Sequence, residues 1–372
     1  SNTSPFRAML GRTLDRYIAG LFLRYWLYAL AAFIAIYLVV NFIETVGKFL
    51  QKGTDVGTIA SYYLYMIPFV VKWVNPIAVL LGVLFCISIL GKGSEITAMK
   101  ASGVSLYRVF APLILLGSLI GVGVWVFGET VVPYANERCV AIKKWVFDGL
   151  DREAMMKVNS YSTSLAGNLI LYTGQMDAYN GRMSRPTLIR FDPEEPGLAV
   201  ERVDAAVGEY ANGEWHFYSC EVRTFGPEGQ ELTLIAVPEM VVPIVESPGE
   251  FAIEARTPED MTYAELSAHI ERMERAGKDP AKELVELNLK VSVPLANLIV
   301  VLIGAPLAVR TARSGTALGF GVAVLLGFVL WGFIAVGRAF GQRGAVSPFI
   351  AAFLPNILFG LAGLWLIRRV NR

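Results

Sequence analysis

The chain is poor in the residues on which metal and thiol chemistry depend. Among 372 residues it has two histidines, His216 and His269, and three cysteines, Cys86, Cys139 and Cys220. The cysteines show no CxxC or other metal spacing and the histidines lie far apart, so neither a zinc site nor a catalytic dyad is indicated. Charge is scarce too: 17% of residues are Asp, Glu, Lys or Arg, and the net charge of +1 implies no general attraction to nucleic acid. A phosphate loop is also missing, because Gly91-Lys92-Gly93 lacks the leading glycine and the hydroxyl residue of the GxxxxGKS/T pattern. Nucleotide hydrolysis by that route is excluded, and the chain is not expected to be an enzyme.

Apolar residues are what the chain has in plenty. They make up 54% of it, which points to a multi-pass membrane protein rather than a soluble domain. Uncharged runs occur at Tyr25–Ile43, Trp73–Leu90, Val109–Gly128, Val291–Val309, Ala317–Gly337 and Pro348–Ile367, the third span continuing to about Val132. Each approaches the roughly 20 residues that a helix needs to cross a bilayer. Glu44 to Gly57 reads as a short polar connection holding Lys48, Lys52 and Asp55. Pro68, Lys72 and Pro76 predict an interfacial or tilted helix and a kink before the second span. Pro294 predicts a kink in the fourth, and Gly117 and Gly121 are spaced for close helix contact in the third. Tyr25, Trp26, Tyr28 and Trp73 read as interfacial anchors, with a lipid-entry path as the alternative.

Between Pro133 and Ala255 the pattern changes. Alternating runs at Asn168–Thr173, Thr187–Phe191, Val200–Tyr210, Trp215–Phe225 and Leu232–Ile244 are separated by turn signals at Asn180-Gly181, Pro196-Gly197, Asn212-Gly213 and Pro227 to Gly229. These predict a soluble all-β domain, with a sandwich, a jelly roll and an open barrel all compatible. Helical signals return at Thr257 and at Thr262, where Glu265 completes a capping box. Gly277 is the expected end of that helix and Asp279-Pro280 the start of the next. The resulting organisation is an N-terminal transmembrane half (1–132), a β domain (133–256) and a linker helix with a C-terminal transmembrane half (257–372).

One polar stretch stands out, Gly91 to Arg108, set between the second and third spans. Ser94 can cap a short helix there, Glu95 suits its first turn, and Gly103 can end it. Lysine and arginine collect on that side of the short loops: the N-terminal arginines, Lys92, Lys100, Arg108, Arg310, Arg313 and the C-terminal arginines. Both termini and the polar stretch are therefore expected in the cytoplasm, and the β domain on the far side. Cys139 and Cys220 then share the oxidising compartment and are read as unpaired. The uncharged spans show no chain of buried Asp, Glu, His or Arg, so a transporter of this kind must borrow its energy. A helix bearing Glu95 is a lever through which a separate motor can push; an ordinary solvated loop is the plainer alternative. Three classes stay open: a motor-driven permease, an ion-driven secondary transporter, and a membrane-anchored scaffold.

Four motifs carry a resemblance. LDRYI (Leu14 to Ile18), SEITAMKASGVS (Ser94 to Ser105), PLAVR (Pro306 to Arg310) and PFIAAFLPN (Pro348 to Asn356) resemble the LptF/LptG permease family of the lipopolysaccharide exporter. The likeness covers the whole chain, and LDRYI with Glu44 is more similar to LptG than to LptF. The resemblance implies a six-span inner-membrane permease with an inserted periplasmic β-jelly roll, working in an ABC transporter. It implies a coupling helix at about 94–103, with Ser94, Glu95, Met99, Lys100 and Gly103 as the residues that engage an LptB-like ATPase dimer. The partners it implies are a second, LptF-like permease and LptC-like and LptA-like periplasmic proteins, with lipopolysaccharide as substrate. No cofactor is bound directly; ATP and Mg are used by the ATPase. Lys48 and Lys52 correspond to basic residues that meet lipid A phosphates, although snorkelling at the interface explains them equally well. Family members tend to have a lysine where this chain has Asn41, so that basic cluster is incomplete.

Overall fold

The structure is a computed structural model. The described residues are 5–143, 145–146, 157–165, 168–177, 180–193, 195, 197–227, 229–249, 251, 257–275, 279–311 and 316–370. Gly277, Arg313, Pro196 and Arg372, which carried expectations above, lie outside them. Two compact units form, one from residues 1–139 with 281–372, the other from residues 140–280.

In the first unit, six helices are long and apolar enough to cross a membrane. They are α1 (Pro5–Gln51), α2 (Val56–Lys92) and α4 (Leu106–Thr130), followed later by α7 (Ala281–Thr311), α8 (Thr316–Gln342) and α9 (Pro348–Val370); short helix α3 (Glu95–Ala101) joins α2 to α4. Two expectations are corrected here. The first connection is not a loop from Glu44, because α1 stays helical to Gln51; Asp55 then caps α2, accepting from the Gly57 and Thr58 amides at 2.8 and 3.3 Å. Nor do Pro68 and Pro76 break the second span, which is one continuous helix of 37 residues. Inside a bilayer there is no water to satisfy a freed backbone group, so a proline is accommodated within the helix rather than by leaving it.

α2 and α7 are the buried spans, with 72% and 67% of their most apolar stretches covered by the rest of the protein. α4 packs on α7 through Gly117 and Gly121. A methyl group added there would lie 2.6 Å from Val301 Cγ2 and 2.9 Å from the Pro294 carbonyl oxygen. The glycine spacing read in the sequence is therefore a crossing within this chain, where dispersion between closely approaching backbones holds helices together in lipid. α1 crosses α2 in the same way, with Gly82 3.0 Å from the Trp26 backbone for any added methyl group.

The second unit holds an antiparallel sheet with strand order β1-β2-β3-β4-β5-β6, from β1 (Lys157–Leu165) and β2 (Leu169–Asp177) through β3 (Arg182–Phe191), β4 (Ala199–Ala211) and β5 (Glu214–Phe225) to β6 (Glu231–Val242). Helix α5 (Val132–Lys143), not a strand, occupies the start of the segment read as β, and α6 (Tyr263–Arg275) follows the sheet. The capping box forms as expected: the Thr262 amide donates to Glu265 Oε2 at 2.7 Å and the Glu265 amide to Thr262 Oγ1 at 3.2 Å. The inserted all-β domain is present, but the described strands pair as a sequential meander, without the non-consecutive pairing of Greek keys. Tight turns account for this, as at Asn212 and Gly213, whose φ angles of 54° and 91° suit a two-residue hairpin.

Every ladder in the sheet loses its pairing along one transverse line, Ser160, Gly174, Arg185, Ala206, Ser219 and Pro238, and resumes in the same register across it; separate shifts occur only at the strand ends, at Arg190/Phe191 and Thr224/Phe225. Arg185 and Ser219 have φ of 49° and 54° there. The buried face changes parity across the line: Leu171 and Thr173 before it but Met176 after it in β2, and Trp215 and Phe217 before it but Cys220 after it in β5. An extra residue in each strand at one level creases the sheet without changing the register across the crease, which bends it around a single core. On the other face, Arg202 clamps Asp204 with two bonds of 2.8 Å and Thr187 adds one of 2.7 Å. Burial alone would raise the Asp204 carboxyl, but these bonds from Arg202 and Thr187 hold it below the ordinary carboxylate value.

Candidate functional site

The polar stretch between α2 and α4 folds as a helical step. Glu95 is the first residue of α3, where its carboxylate faces the positive end of the helix dipole. Ser94 does not cap it. Its backbone is left-handed, with φ 58° and ψ 10°, and its hydroxyl makes no capping bond, because capping requires an extended residue. The other end closes as expected. The Gly103 amide donates to the Lys100 carbonyl at 3.0 Å and the Val104 amide to that of Met99 at 2.9 Å, with Gly103 at φ 80°. This is the paired bonding of a Schellman stop, for which a glycine at positive φ is well suited.

α3 is two-sided. Ile96 is buried, and Met99 and Val104 pack on the same helical core, while Ser94, Lys100 and Gly103 are exposed and Glu95 is half-buried. The apolar side seats the step on the bundle and the polar side is offered outward. The LDRYI motif, distant in sequence, comes to this place. Tyr17 Oη donates to Glu95 Oε1 at 3.2 Å, and Arg108 Nη2 donates to Asp15 Oδ2 at 2.7 Å.

Lys48 and Lys52 are both exposed, at the last turn of α1 and just beyond it. Thirty-one residues of continuous helix separate Lys48 from Tyr17, about 46 Å at the helical rise. The two predicted residue sets therefore lie at opposite ends of α1.

Two polar clusters within the helical unit were not foreseen. Trp26 Nε1 donates to Asn75 Oδ1 at 3.1 Å, Asn75 Nδ2 to Asn297 Oδ1 at 2.7 Å, and Asn297 Nδ2 to the Pro294 carbonyl at 2.9 Å. Asn75 and Asn297 are fully buried. The available signal was an asparagine inside an otherwise apolar run, which must find partners across helices. In the second cluster, buried Glu286 of α7 accepts from Arg338 Nε and, at 2.8 Å, from Gln342 Nε2 of α8, with buried Lys290 one turn along. The expectation that the spans carry no buried charge is thereby corrected. The sequence reading began the fourth span at Val291, whereas α7 is one helix from Ala281 that carries Glu286 and Lys290 into the packed interior. Among the described residues no group of three or more His, Cys, Asp or Glu is placed to hold a metal.

Six apolar spans, an inserted antiparallel β domain and a short helix between the second and third spans define a multi-pass helical membrane protein. Residues 16–369 match the family described as lipopolysaccharide export system permease LptF/LptG, and the chain belongs to that family. Similar proteins include the lipopolysaccharide export system permease protein LptG of Escherichia coli strain K12. It is 23% identical over 378 residues, covering 96% of this chain and 98% of that one. LptG of the O6:H1 strain CFT073 aligns with the same identity and coverage. This chain is accordingly a multi-pass inner-membrane permease of the lipopolysaccharide export system, with weak support for LptG within the family.

Proposed function

We propose that this chain is the LptG-type half of an ATP-driven exporter that extracts lipopolysaccharide from the inner membrane and passes it to a periplasmic bridge. The single observation that carries the reading is α3: a capped-off helical step, seated by Ile96 and Met99, with Glu95 held at its first position. In the proposed topology both termini and α3 are cytoplasmic and the β domain is periplasmic. Supporting it, six spans put the start of α1, the α2–α4 step, the α7–α8 link and the end of α9 on one side, and Lys92, Lys100, Arg108, Arg310, Arg368 and Arg369 gather there.

The motor is a separate LptB-like ATPase dimer using ATP and Mg, because this chain carries no phosphate loop. Glu95 is the residue that engages it, with Ser94, Met99, Lys100 and Gly103 shaping the step. An LptF-like permease completes the membrane unit. The β domain hands the lipid to LptC-like and LptA-like proteins, which would add strands beside β1 or β6, the outer strands of the described sheet. Lys48 and Lys52, at the proposed periplasmic end of α1, pair with lipid A phosphates. An ion-driven mechanism is disfavoured because Glu286 and Lys290 lie in the first turns of α7, and the long apolar stretch beyond them to Val309 is uncharged.

The test is Glu95→Ala in proteoliposomes containing the second permease, the ATPase and lipopolysaccharide. Insertion is expected to persist while ATP hydrolysis is uncoupled from lipid extraction. Lipid release equal to wild type would sink the proposal.

A further inference from the structure

Asp15 and Tyr17 lie two residues apart on α1, yet they reach the two ends of the α3 step. Tyr17 bonds Glu95, the first residue of α3, and Asp15 bonds Arg108, in the first turn of α4. Both links leave the chain's own neighbourhood, spanning 78 and 93 residues of sequence. They stand beside a firm anchor: Ile18 and Phe22 of α1 have no exposed surface, and Cys86 Sγ of α2 donates to the Ile18 carbonyl at 3.8 Å. Farther along, α1 is held differently. Ala29 is buried and Phe49 is buried, but no side chain between residues 30 and 48 is. The helix is gripped near α3 and again at its far end, with a long apolar length between them facing outward.

We infer that Asp15 and Tyr17 are positioning residues that carry displacement of α3 into α1. The inference rests on the reading of Glu95 as the residue that engages the ATPase. A short helix pushed by a motor necessarily moves α2 and α4, to which it is joined by backbone. α1 is also tied to α2 by the Trp26–Asn75 bond and the Cys86–Ile18 contact, whereas Tyr17–Glu95 and Arg108–Asp15 tie it directly to the step. Exposed bonds of this sort contribute little to stability, because water and salt screen them. Their value is directional: a carboxylate at each contact point fixes where α1 sits relative to the step. Tyr17 also restrains the Glu95 carboxylate itself, so its loss alters how that group is presented as well as what it moves.

The complex of this chain with the second permease and the ATPase, reconstituted with lipopolysaccharide in proteoliposomes, provides the test. Tyr17→Phe, which removes one hydroxyl, and Asp15→Arg are expected to assemble and to hydrolyse ATP. Lipopolysaccharide extracted per ATP should fall about five-fold, the lower end of coupling effects between sites. Combining Asp15→Arg with Arg108→Asp, which reverses the pair, should restore the ratio; a merely structural role predicts no such rescue. Wild-type ratios in Tyr17→Phe and Asp15→Arg, alongside an uncoupled Glu95→Ala, overturn this inference and leave the reading of Glu95 standing. A fully coupled Glu95→Ala overturns that reading and this inference with it. If Asp15→Arg does not assemble, is not rescued by the swap, and Tyr17→Phe behaves as wild type, the inference is likewise overturned.

Discussion

α1 and α7 are both long and apolar enough to cross a membrane, yet 6% of the most apolar stretch of α1 is buried inside the protein against 67% for α7. α7 packs against α2, α4, α8 and α9, carries the buried Asn297, and brings Glu286 into contact with α8. α1 touches mainly α2, through the Trp26–Gly82 crossing, and shows lipid or a partner its outer face, with Ile36, Val40 and Ile43 more than half exposed. The difference teaches that apolarity sets a helix in the bilayer without setting its neighbours. In lipid, exposed Leu or Ile costs nothing, so only shape fit and polar bonds distinguish a central span from a peripheral one.

Four substitutions sharpen or break this contrast, each measured as thermal unfolding of the purified chain in mild detergent. Arg338→Met is expected to cost most, about 3 kcal/mol, because it removes the directly bonded guanidinium from buried Glu286. Gly121→Val should cost about 2 kcal/mol by forcing α4 away from the Pro294 carbonyl. Ile303→Ala, on buried α7, should cost about 1.5 kcal/mol, less than in a water-soluble core because the cavity remains but the transfer from water does not apply. Ile36→Ala, the same truncation on α1, should stay within about 0.5 kcal/mol. If Ile36→Ala cost as much as Ile303→Ala, α1 would be covered in solution, and the comparison would fail.

Much of the fold was legible because its signals are local. The six spans, the turn at Asn212-Gly213, the capping box at Thr262 and the stop at Gly103 each depend on a few neighbouring residues. β1 was missed because KVNSYSTSL has no apolar alternation to mark it as a strand; pairing with β2 makes it one. The crease was missed because one extra residue per strand is invisible until six strands align. At the candidate site, Glu95 was legible as a charged helix start, but the cap expected from Ser94 failed on its left-handed backbone. Nothing near Glu95 in the sequence pointed to Tyr17.

Hydropathy and charge placement act on each segment separately, so the amino-acid sequence alone determined that there are six spans, an inserted β domain and a polar step after the second span. Which helices are central, which asparagines bond across them, and which turn of α1 meets Glu95 were decided only by tertiary structure. The physical reason is that these depend on close approach between segments 49 to 222 residues apart, as in Trp26–Asn75 and Asn75–Asn297. Such approaches follow from glycine positions and packing of whole helix faces, which no single stretch of the chain specifies.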